Sequence, residues 1–98
     1  IDKSAEQVFS ENEIQFMEKL CPKLEGNSKK LKNKHLFKSI AWASWIIARL
    51  GGWKGYESQS PPGPITIVKG IIKFYQQLQG WELALELMKP LKKDVYRE

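Results

Sequence analysis

Apolar positions along the chain recur at helical spacing in four stretches, and nowhere is a strand-like alternation sustained. In the first stretch Ile14, Met17 and Leu20 share one stripe. Ser10 stands just ahead of it with Glu13 three residues on, the pattern of a capping box. There the hydroxyl accepts from the third helical N–H and the carboxylate reaches back. Phe9 and Ile14 are placed to staple that cap, and Pro22 is expected to stop the helix. The predicted span is about Glu11 to Cys21.

A central helix is predicted from about Lys34 to Leu50. Leu36, Ile40, Ala43, Ile47 and Leu50 form one stripe, Phe37, Ala41, Trp45 and Ala48 a second, and Trp42 and Ile46 widen it. A helix apolar over that much of its girth is wrapped by other elements. Gly51 is read as a left-handed C-cap and Gly52 as the release of the chain. Pro64 then fits the first turn of a third helix, lined by Ile67, Ile71, Phe74 and Leu78 with Val68, Ile72 and Tyr75 beside them. Gly70 inside it costs about 1 kcal/mol relative to alanine, which points to a close helix approach. Gly80 is read as its end, and Trp81 to Met88 as a last helix before Pro90. The fold class is therefore all-α: a small bundle of about four helices around a central apolar helix. A basic loop spans about 23–33, a Gly/Pro loop 53–63 lies between helices two and three, and a charged tail spans 91–98.

Composition adds a core and a charge asymmetry. With 42% hydrophobic residues and four tryptophans, 98 residues suffice for one packed domain, expected to be a piece of a longer protein. The net charge of +5 is unevenly spread: residues 1–19 hold five acids, whereas residues 23–38 hold six lysines against Glu25 alone. Such a basic segment either steers a polyanion or serves as a solvated loop. The single cysteine, Cys21, excludes an internal disulfide and fits a reducing, intracellular setting. No apolar run approaches the roughly 20 residues of a membrane span.

Candidate chemistry is sparse. His35, the only histidine, has no acid or thiol at metal-ligand spacing and reads as a surface residue. Glu82 and Glu86 look like solubilising charges, and Gly51-Gly52 follow a helix where a phosphate-cradling loop precedes one. No catalytic residue, metal ligand, cofactor or small-molecule substrate is expected in this chain. Trp53 either plugs the core or, with Tyr56 and Lys54, offers a loop aromatic to a partner or a nucleic-acid backbone.

One set of residues carries a resemblance. Ile47-Ala48-Arg49-Leu50-Gly51-Gly52, then Pro62-Gly63-Pro64, Thr66 to Gly70, and Gly80, Trp81, Ala84 and Met88 resemble the C-terminal domain of bacterial cut-and-paste transposases of the IS-four family, of the Tn-five-like kind. The likeness runs from about Ala5 to Met88 and includes Phe9-Ser10 and a lysine-rich loop. It implies a noncatalytic helical domain appended to a ribonuclease-H-like core, which is where the Asp-Asp-Glu triad and its divalent metal belong. It implies homodimerisation in the synaptic complex, where two subunits hold two transposon ends, in the bacterial cytoplasm. The family's dimer contacts correspond here to Trp81, Ala84, Leu85 and Met88. The tail after Pro90 is longer and more charged than the family pattern. With this resemblance Lys29, Lys30, Lys32, Lys34 and Lys54 become candidate contacts to the DNA backbone, which would position DNA without reading its sequence. Two other readings stay open: a DNA-binding module acting mainly through the lysine loop, and a regulatory domain that masks an N-terminal DNA-binding region.

Overall fold

The computed structural model describes residues 3–27, 29–56 and 60–89. Three α-helices form the body: α1 (Glu11–Glu25), α2 (Ile40–Leu50) and α3 (Pro64–Met88). Single 3₁₀ turns at Ala5–Gln7 and Lys29–Leu31 precede and follow α1. Among the described residues there is no strand, and the all-α class stands.

Helix α1 starts as its sequence dictates. The Ser10 hydroxyl accepts from the Glu13 N–H at 3.2 Å, and the Glu13 carboxylate accepts from the Ser10 N–H at 2.8 Å. Its end is a correction: the helix runs through Pro22 to Glu25. Proline removes one backbone donor and crowds the preceding turn, but bonds from elsewhere hold the last turn in place. The Arg49 guanidinium donates to the Leu24 carbonyl at 2.7 Å, and the Asn33 N–H donates to the Glu25 carboxylate at 2.7 Å. Residues 23–25, expected in the basic loop, are therefore helical.

Helix α2 begins six residues later than its apolar pattern suggests. Ser39, buried, caps it by accepting from the Trp42 N–H at 3.1 Å. Lys38 just before has φ of 65°, a left-handed conformation that no helix passes through. The segment ahead is held instead by the N-terminal strip: the Ala5 N–H donates to the Lys38 carbonyl and the Ile40 N–H to the Lys3 carbonyl, each at 2.8 Å. Leu36 and Phe37 thus leave the predicted stripes and lie exposed, Phe37 edge-on to Trp42. The rest of α2 is the centre of the core, with Trp42, Ala43, Trp45, Ile46, Ile47, Ala48 and Leu50 all buried. Gly51 at its end is right-handed (φ −79°); the left-handed turn falls to Gly52 at φ 104°.

What Gly51 provides is room. A Cβ on Gly51 would land on the Thr66 carbonyl oxygen, and a Cβ on Gly70 on the Ile47 carbonyl oxygen. The α2 and α3 backbones therefore touch at two glycines, which is the close approach that Gly70 signals in the sequence. The expected third and fourth helices are one. Gly80 does not end α3, because an interior glycine costs helix propensity without removing a hydrogen bond. Phe74 and Leu78 are buried, while Phe16 stacks on Trp81 with centroids 5.1 Å apart and meets Phe74 at 5.7 Å. Asn12 ties the same region down by donating to Glu82 at 2.9 Å. Beyond Glu82 every described residue is exposed, and the molecule is 62 Å long by 26 by 26 Å.

Candidate functional site

Two surfaces emerge from this packing. The first is α3. Its core-facing stripe is Ile67, Gly70, Phe74, Leu78 and Trp81, spaced three or four apart. The same stripe runs on as Leu85 and Met88 past the last residue that α1 covers, with Ala84 beside it. Leu85 is 45% exposed and Met88 76%. Of the four dimer residues implied by the resemblance, Trp81 is half-buried on its own chain's Phe16, and Ala84, Leu85 and Met88 lie open.

The back of α3 carries apolar residues besides its lysines and glutamines. Ile65, Val68, Ile72 and Leu83 project there, each more than half exposed, and Ile71, Tyr75 and Leu87 are exposed as well. Val68, Ile72 and Tyr75 had been placed beside the core face, and Ile71 on it. A signal was available: Ile65, Val68 and Ile72 are spaced as a stripe of their own, about half a turn from Phe74. Lys69, Gln76 and Gln79 share that side of the helix, so the exposed apolar residues are interspersed with polar ones.

The second surface is basic. Lys29, Lys32, Lys34 and Lys54 are exposed; the Lys30 side chain lies outside the described residues. Sequence separates Lys54 from the others by about 20 residues, and the fold closes that gap. Gly55 packs against Leu31 and Arg49: a Cβ built on it would lie 3.7 Å from Leu31 Cδ2 and 2.9 Å from Arg49 Cδ. Arg49 is the strut at this end of the molecule. One Nη donates to the Trp53 carbonyl at 2.9 Å, the other to Leu24 at the C-terminus of α1, where the helix dipole favours a cation. Glu25, the one acid within residues 23–38, is engaged with the Asn33 N–H and half-buried. Lys32 Nζ reaches the Gly26 carbonyl at 3.4 Å.

The loop aromatics divide. Trp53 folds back onto the core, half-buried, and its indole N–H donates to the Ser60 carbonyl at 2.9 Å. Tyr56 stays 42% exposed.

Titratable groups are not drawn together. His35 is exposed, with its backbone N–H on the Asn33 side-chain oxygen. Among the described residues no three of His, Cys, Asp and Glu converge as a metal site would need. Cys21 is buried, and that burial, with Glu25 beside it, pushes its thiol up to about 11. Such a thiol is a packing group and a poor nucleophile. Tyr75 is also raised, by partial burial and by Glu13. Among the described residues no helix is long and apolar enough to cross a membrane. Comparison of the chain with family models, with curated proteins and with solved structures returns no match.

Proposed function

We propose that this chain is the noncatalytic C-terminal domain of a bacterial cut-and-paste DNA transposase, supporting homodimerisation in the synaptic complex with auxiliary contacts to the DNA backbone. In this reading transposon ends are the DNA partner, and catalysis with its divalent metal lies in a separate core. The residue resemblance from Ile47 to Met88 supplies the family. The observation that carries self-association is α3, whose apolar stripe continues through Leu85 and Met88 beyond the body that covers it. Ala84 alongside offers the small side chain that lets a second helix approach across a two-fold axis.

Burying a leucine or methionine contributes about 1.5–3 kcal/mol. Losing Leu85 and Met88 from an interface should therefore weaken it roughly a hundredfold or more, at 1.4 kcal/mol per tenfold. Sedimentation equilibrium over a wide concentration range tests this directly. A reversible dimer is expected, lost in Ala84→Glu and in Leu85→Glu/Met88→Glu while circular dichroism stays unchanged. An oligomeric state indifferent to all three substitutions removes the end of α3 from the interface.

The basic end supports a second reading, of a DNA-binding module acting mainly through its lysines. The observation favouring it is the contact of Gly55 with Leu31, which gathers cations from two distant segments at one end of the fold.

A further inference from the structure

We infer that the basic end accepts a nucleic-acid strand carrying an unpaired base, with Tyr56 as the stacking platform and Lys29, Lys32 and Lys54 on the flanking phosphates. This deepens the reading of the lysines as backbone contacts and rests on it. The argument starts from how the loop after α2 is fastened. Trp53 is fixed three ways: its N–H donates to the Ala48 carbonyl at 3.0 Å, its carbonyl accepts from Arg49, and its indole donates to Ser60. Gly55, at φ 83°, turns the chain where an L side chain is strained, and it is wedged against Arg49 and Leu31. Tyr56 follows Gly55 directly and is 42% exposed, its ring stacked on no other aromatic ring among the described residues.

The two aromatics of one loop thus differ, Trp53 half-buried against the core and Tyr56 exposed, while Gly55 between Lys54 and Tyr56 lies near Leu31 of the Lys29–Leu31 turn. Phosphates of an intact duplex ask only for cations, and its bases are already stacked, leaving no face for a ring. An unpaired base does present a face, and stacking on an aromatic side chain is sequence-tolerant.

Fluorescence anisotropy with two probes tests the assignment: a short labelled oligothymidylate and a blunt duplex of equal length, at matched salt. The wild type should bind the single strand more tightly. Tyr56→Ala should weaken single-strand binding about five- to a hundredfold, the range expected for one stacked base, and leave the duplex unaffected; Tyr56→Trp should retain it. Replacing Lys29, Lys32 and Lys54 with Ser should weaken both probes and flatten the log–log salt slope on single strands by about 0.7 per lysine. Equal loss on both probes in Tyr56→Ala, or no loss on either, overturns the stacking assignment while leaving phosphate contact intact. Wild-type protein that binds neither probe overturns both the stacking assignment and the backbone-contact reading.

Discussion

Two glycines on one helix should respond in opposite directions to the same substitution. In Gly70→Ala the new Cβ falls on the Ile47 carbonyl oxygen, 2.8 Å from the Ile47 carbonyl carbon and 3.0 Å from its Cγ2. Backbone atoms cannot rotate aside, so α3 must back away from α2 along a seam that buries Ile47, Leu50 and Phe74. Overpacking of a core costs about 1–3 kcal/mol, and a backbone obstacle belongs at the upper end. Alanine returns about 1 kcal/mol of helix propensity, which leaves a net loss of about 2 kcal/mol. For a domain of this size that is a fall of about 8–16 °C in Tm. At Gly80 a Cβ meets nothing, and the propensity gain stands alone, a rise of about 4–8 °C. Thermal melts by circular dichroism, backed by urea titrations with unchanged m-values, separate the cases. If Gly70→Ala melts at or above wild type, the two helices do not touch backbone to backbone, and the account of their crossing fails.

Two further outcomes follow from groups near the basic end. Arg49→Lys should destabilise by about 2–3 kcal/mol in urea titration, because an ammonium cannot span the Leu24 and Trp53 carbonyls that the planar fork joins; stability within ~0.5 kcal/mol of wild type would show the strut to be dispensable. Cys21 should alkylate far more slowly than an unfolded cysteine near pH 8, since a thiol moved from 9.0 to about 11 has about a hundredfold less thiolate. Its folded value is the raised one, so the unfolded thiol ionises first and stability should decline as pH climbs from about 9 towards 11. A Cys21→Ala variant with the same decline over that window would assign it to other groups.

The α1 start, with its reciprocal Ser10–Glu13 bonds, was legible in the sequence because a capping box is a local device: two residues three positions apart decide it. So were the apolar girth of α2, the proline at the start of α3, and the demand of Gly70 for a close neighbour. Errors fell where a local signal met a distant partner. Pro22 reads as a stop, yet Arg49, 27 positions on, holds the turn that follows it. Leu36 and Phe37 continue a helical stripe, yet the N-terminal strip takes the backbone bonds around Lys38 and sets the true start at Ser39. Spacing decides which residues can share a face, but it does not count how many faces have neighbours. That is why Ile71, on the expected core stripe, and Val68 and Ile72 beside it are surface. The sequence alone determined an all-helical chain with a charged, lysine-rich segment. Only the tertiary structure decided that α3 outruns its own core and that the loop at Gly55 comes near Leu31, because both depend on which segments can approach, at the α2–α3 crossing through Gly51 and Gly70 and at the loop through Gly55 against Arg49.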